Sequence, residues 1–214
     1  LSHPDPSVKR RSGFLPPSIS DTKNLGEGIS IPYFFDIDKN KNFTLTSQLY
    51  ASENPLFMGE YHQALKDSFL MADFGYTEGY KNTSTKKTSG DKSHLFTKFI
   101  KKFKGKNNST NNIGLTLQNV SNDKYLKLYK IKTDLVDYEI DSLESTLSFS
   151  RETNKSFLGA RASLYETLKN DYNDKYEYVL PDIILDRNLI SNEKVGSLDL
   201  QANLKVHNYD TNKF

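Results

Sequence analysis

The chain has 214 residues, 36% hydrophobic and 26% charged, with a net charge of +2 and no cysteine or tryptophan. Even with its 11 glycines added, the apolar share falls below the roughly 45–50% of globular domains, which argues against a large dry core. The near-neutral balance removes the electrostatic case for nucleic acid, which needs a concentrated basic face. No run approaches the ~18–20 apolar residues of a membrane helix, but the strands of a membrane barrel alternate and escape that criterion.

Period-two alternation dominates from the start. Arg11–Ser18 reads as a first strand with Pro16-Pro17 inside it, and Gly28–Asp36 as a second carrying Pro32. In the second, Ile29, Ile31, Tyr33 and Phe35 share one face. The same spacing recurs in Phe43, Leu45 and Leu49, in Ile113, Leu115 and Leu117, and in Leu143, Leu147 and Phe149. Leu158, Ala160, Ala162 and Leu164 continue it, and Leu198, Leu200, Ala202, Leu204 and Val206 close it. Successive side chains of a strand point to opposite faces, so each run has one apolar and one polar side.

Eleven strands are expected near 13–20, 26–37, 42–51, 55–65, 68–80, 93–104, 110–120, 141–151, 155–168, 174–187 and 195–209. Many reach ten residues, a length suited to a tilted membrane crossing. Only Ser121–Asp141 is compatible with a short helix or turn, through Leu126, Tyr129, Ile131 and Leu135. Odd-numbered links should project from one end, and they include the two longest, Lys81–Lys92 and Ser121–Ile140. Even-numbered links are mostly tight: Asp38–Lys41, Lys66–Asp67, Gly105–Ser109 and Glu152–Asn154. Long loops on one rim and short turns on the other are the habit of outer-membrane barrels. The chain opens at Leu1-Ser2-His3-Pro4 without a Met and stops in an alternating stretch, so it is read as an internal part of a longer protein.

Proline deletes a ladder donor and is normally confined to edges, first positions or bulges. Two consecutive strands with internal prolines describe either a seam that pairs weakly or a linker at Pro16-Pro17 followed by a bulge at Pro32; the residues alone leave both open. Phe14, Tyr33, Phe34 and Phe35 could contact acyl chains or belong to the aromatic band of any barrel. Lys98, Lys101, Lys102, Lys104 and Lys106 could meet phosphates, or form a solvated strand end and turn. His3, His62, His94 and His207 lack metal-ligand spacing, and no nucleophile elbow appears, so neither a metal, a cofactor nor an enzyme activity is expected.

Several segments resemble the LPS-assembly protein LptD family (OstA/Imp). They are His3–Pro17, Ile31–Ile37, Ser93-His94-Leu95-Phe96, Ser121–Tyr129, Leu143–Leu147 and Leu180-Pro181-Asp182-Ile183. The resemblance implies an all-β fold, the antiparallel up-and-down strands of a large outer-membrane β-barrel of about 26 strands, of which this chain would hold about eleven. It implies that residues 1–12 end a periplasmic jellyroll and that 13–214 form the N-terminal part of the barrel. The implied partners are lipopolysaccharide, an LptE lipoprotein plug, an LptA-type periplasmic bridge and outer-membrane lipid, in the outer membrane of a Gram-negative bacterium. The implied function is insertion of lipopolysaccharide into the outer leaflet through a lateral gate, with Pro17 and Pro32 as gate residues and Phe14, Tyr33, Phe34 and Phe35 as lipid contacts. A porin-like barrel and a soluble β-rich binding module are the alternative classes.

Overall fold

The computed structural model describes residues 10–81, 90–169, 175–192 and 194–208. They contain one antiparallel sheet of twelve strands. In chain order these are β1 (Gly13–Phe14), β2 (Ser18–Thr22), β3 (Gly26–Asp38), β4 (Lys41–Tyr50), β5 (Leu56–Leu65) and β6 (Ser68–Thr77). Then follow β7 (Lys92–Lys104), β8 (Thr110–Val120), β9 (Ser142–Thr153), β10 (Ser156–Thr167), β11 (Tyr176–Asn192) and β12 (Gly196–Asn208). From β3 onward every strand pairs with its sequence neighbour, while β1 and β2 both pair with β3. This is the expected all-β up-and-down architecture. The sheet is open, with the β1–β2 ribbon on one edge and β12 on the other.

Ten of the expected strands keep their places to within a few residues, although β11 runs on to Asn192. The first does not stay whole: it divides around Leu15-Pro16-Pro17 into β1 and β2. The long and short links fall on opposite rims as the alternation requires. Residues 23–25, 51–55, 78–81, 90–91, 121–141, 168–169 and 175 lie at one end, and 39–40, 66–67, 105–109, 154–155 and 194–195 at the other. Residues 82–89 of the third long link, and residues 1–9 of the expected jellyroll tail, lie outside the described residues.

Register fixes the two faces. Tyr33, Leu45, Gly59, Phe74, Leu95 and Asn119 stand opposite one another in successive pairs, and so do Phe35, Phe43, Tyr61, Ala72, Thr97 and Leu117. Farther along, Leu115, Leu147 and Ala162 form such a row, as do Leu158, Leu185 and Ala202. The period-two runs therefore merge into one apolar face across the sheet. It is uncovered among the described residues: Phe57, Phe74, Leu147 and Leu204 are 46%, 45%, 56% and 55% exposed. The reverse face carries Thr44, Thr46, Glu60, His62, Asp73, His94, Lys98, Thr116, Arg161 and Asp182.

The buried core is not between two sheets. It lies where residues 121–141 fold onto the polar face at the long-link rim. A single helix, α1 (Tyr125–Tyr129), buries Tyr125, Leu126 and Tyr129, which lie along one side of a helical turn. The Asn122 side-chain carbonyl accepts from the Lys124 N–H at 3.0 Å just before it. Lys130, at φ 49°, ends it in the left-handed region. Leu56, Met58, Phe96, Val120 and Leu143 pack against it. Leu143, expected on the apolar face, belongs to this core and is 1% exposed. The expectation of a short helix or turn in this tract holds.

Candidate functional site: the proline seam and the docked loop

The first ribbon is joined to β3 by a damaged ladder. Gly13 and Phe14 stand opposite Phe34 and Tyr33, whereas Ser18 and Ile19 stand opposite Ser30 and Ile29. Between these pairs lie Leu15, Pro16 and Pro17 on one side but only Ile31 and Pro32 on the other. One extra residue in one strand is a β-bulge. Because it shifts the pleat by one, Phe14 and Ile19 reach the same apolar face although five positions separate them.

Pro32 compounds the damage. The Leu15 N–H donates to the Pro32 carbonyl at 2.9 Å. In an antiparallel ladder such a pair normally exchanges two bonds. The reciprocal donor to the Leu15 carbonyl is missing because Pro32 has no N–H. On its other side Pro32 faces Thr46 of β4, and that pairing runs without interruption through it. The structure thus brings Pro17 and Pro32 close together along one pair of strands: Pro16 and Pro17 lie in the bulge opposite Ile31, and the donor lost at Pro32 is on the β1–β2 side of β3. The ribbon is held at its start by other bonds: the Asp36 N–H donates to Ser12 Oγ at 2.9 Å, and Arg10 Nε lies 3.7 Å from Asp36 Oδ1.

Beside the seam, three of the four sequence-selected aromatics gather. Phe14 and Tyr33 meet edge-to-face at 4.9 Å, Tyr33 and Phe35 are 4.6 Å apart, and the chain of rings continues through Phe43 at 5.8 Å to Phe74 at 6.1 Å. Gly59 makes room for it, since a Cβ there would come within 2.4 Å of the Phe74 ring. Phe34 is not in this group. Its position in the pleat puts it on the reverse face, where the Arg10 guanidinium sits 5.5 Å from its ring centre.

A second constellation, which no local sequence signal reveals, fastens residues 121–141. His94 Nε2 lies 2.7 Å from Asp73 Oδ1, and His94 Nδ1 lies 3.1 Å from the Tyr125 hydroxyl. Burial holds the Tyr125 phenol in its protonated form, raising its pKa. A protonated phenol can donate to or accept from His94 Nδ1, and an N–H at Nε2 would donate to the Asp73 carboxylate, so the three groups form one hydrogen-bonded chain. Gly75 supplies the slot, since a Cβ there would lie 2.5 Å from His94 Cε1 and 2.9 Å from the Tyr125 oxygen. At the tip of the segment, Asp134 Oδ2 is 3.9 Å from His62 Nε2. His62 stands six residues into β5, roughly 20 Å from its rim end at the usual strand rise. The dyad is 0% and 3% exposed in its side chains, so its arrangement serves packing and offers no access to a substrate. Lys98 and Lys102 fall on the polar face and Lys101 on the apolar face. Among the described residues no group of His, Cys, Asp and Glu could hold a metal ion, and no helix is long and apolar enough to cross a membrane.

No family model matches the chain. Named proteins do match it in part. An LPS-assembly protein LptD of Psychrobacter cryohalolentis is 34% identical over 76 residues, which is 36% of this chain and 7% of that protein. One of Nitrosococcus oceani is 40% identical over 52 residues, 24% of this chain and 7% of that protein. One of Francisella tularensis subsp. holarctica is 34% identical over 106 residues, 46% of this chain and 12% of that protein. The chain thus spans a small part of the length of these relatives. With the up-and-down sheet described above, these matches relate the chain to a segment of the LptD family.

Proposed function

We propose that the chain forms part of the wall of an outer-membrane β-barrel that delivers lipopolysaccharide to the outer leaflet, and that the β1–β2 ribbon is the wall's movable edge. One observation carries the reading: the ladder between this ribbon and β3 is broken by the Leu15–Pro17 bulge and lacks the Pro32 donor, while the β3–β4 register runs on through Pro32 without a break. Each missing bond removes a net ~0.5–1.5 kcal/mol, and an unmet carbonyl costs more in lipid, where no water replaces the partner. The ribbon therefore separates from β3 more readily than any neighbouring pair of strands. Phe14, Tyr33 and Phe35 would line the path taken by acyl chains past that seam, and Phe34 would face the polar side.

In this reading no bond is made or broken by the protein. Energy arrives with cargo handed up by an LptA-type bridge, an LptE-type lipoprotein occupies the polar interior, and residues 1–12 lead from a jellyroll into the wall. The barrel only lowers the barrier to exit. The test is the pair Pro17→Thr and Pro32→Thr in the full-length protein, since each restores a donor. Pulse-labelled lipopolysaccharide should reach the cell surface more slowly, and the outer membrane should admit large antibiotics. Unchanged delivery and unchanged permeability in both variants would remove the seam from the mechanism.

A further inference from the structure

Among the described residues the apolar face ends in a row of cations at one rim. Lys41 follows the 39–40 turn, and Lys101 stands opposite Ser68, the first residue after the 66–67 turn. Arg151 stands opposite Asn111, next to the start of β8, and Arg187 opposite Ser156, the first residue of β10. All four share the pleat of the exposed apolar residues above them. Lys41 precedes Phe43 and Leu45, Lys101 follows Phe99, Arg151 follows Phe149, and Arg187 follows Leu185.

Asp38 stands opposite Lys41 across the 39–40 turn, where its Oδ1 accepts from the Lys39 N–H at 2.7 Å. Among the described residues none of the four cations has an ion pair or a side-chain hydrogen bond to an acid, and Glu152 and Asp186, their sequence neighbours, fall on the reverse face. Lys101, Arg151 and Arg187 are exposed, and Lys41 is half-buried. Long cationic side chains at the edge of an apolar band lay their stems on it and hold their charge at the headgroup level. Among the described residues the opposite rim of the same face lacks such a row and instead pairs Asp21 with Glu27.

We propose that Lys41, Lys101, Arg151 and Arg187 form a binding row for anionic phospholipid headgroups in the leaflet nearest the short turns. The proposal rests on the membrane-wall reading and adds a lipid class and a leaflet to it. Each basic residue near an anionic surface favours it roughly fivefold, and a row of four at one height sets the depth of the wall in the bilayer.

The experiment reconstitutes the full-length protein in phosphatidylcholine bilayers containing a minor share of spin-labelled phosphatidylglycerol, with spin-labelled phosphatidylcholine as reference. The unaltered protein should hold the anionic label in preference, and salt should weaken that preference. Replacing all four residues with Gln should reduce it at least about fivefold, while the double variant Lys98→Gln/Lys102→Gln on the polar face should leave it unchanged. A preference that survives the fourfold replacement overturns the proposal, and so does an equal fall in the polar-face variant. Heat-modifiable migration on gels confirms that each variant has inserted and folded. A protein that fails to insert even unaltered would sink the membrane-wall reading itself, an outcome separate from insertion without lipid preference.

Discussion

At the scale of single residues, the Tyr125–His94–Asp73 chain decides whether the long segment stays on the sheet. The three groups span 2.7 Å and 3.1 Å contacts in a nearly dry site, where an unmet polar atom costs ~1–3 kcal/mol. Tyr125→Phe keeps the ring packing but leaves His94 Nδ1 without its hydrogen-bond partner. The expected result is a loss of that order, read as faster amide exchange throughout residues 121–141 and unchanged exchange in β9–β10. Gly75→Ala should do the same by a different route, because its methyl group would occupy the space of the His94 ring and the Tyr125 hydroxyl and overpacking costs ~1–3 kcal/mol. Unchanged exchange in both variants would mean that apolar contacts alone hold the segment.

At the scale of elements, the same segment is tied to the end of β10 by charge. Asp141 accepts from Lys127 Nζ at 2.6 Å and lies 3.3 Å from Lys169 Nζ. These partners, Lys127 first and then Lys169, hold its carboxyl below the usual aspartate range. A carboxyl whose folded value is depressed stabilises the fold above its unfolded value and loses that contribution as pH falls through the folded one. With an unfolded aspartate near pKa ~3.9, the contribution should be intact at neutral pH and fade below about pH 4. Proteolytic cutting within residues 121–141 should therefore be slow and constant down to that point and then accelerate. Asp141→Asn should cut at the faster rate at neutral pH. A parent whose cutting rate is flat through the acid range would exclude the tie. The pairs are solvent-exposed, so high salt should weaken them as well.

At the scale of the whole molecule, the sheet inverts the usual arrangement of a water-soluble protein. Among the described residues its polar face is the one covered in part, by residues 121–141 at the long-link rim, and its apolar face is open from Phe14 to Leu204. Exposed apolar area of that extent marks a surface meant for lipid or for a partner, and a sandwich module would have buried it against a second sheet. Two bare edges add unpaired backbone groups. Residues 10–208 produced alone should aggregate in water and remain dispersed only in detergent, as judged by light scattering. A monomer stable in plain buffer would contradict a membrane wall.

The strand positions, the two faces and the separation of long from short links were legible in the sequence, because the pleat is a local property: alternate residues must point to alternate sides wherever the strand goes. Phe34's place on the polar face follows from the same parity, although clustering it with Tyr33 and Phe35 obscured it. The bulge at Pro16-Pro17 was not legible, since an extra residue is defined only against the partner strand, here Ile31 and Pro32. Nor was the fastening of residues 121–141. Asp73, His94 and Tyr125 come from two strands and a helix, and only folding brings groups so distant along the chain into hydrogen-bond contact. Leu143 shows the same limit, since alternation placed it on the apolar side and the docking of a loop buried it in the core.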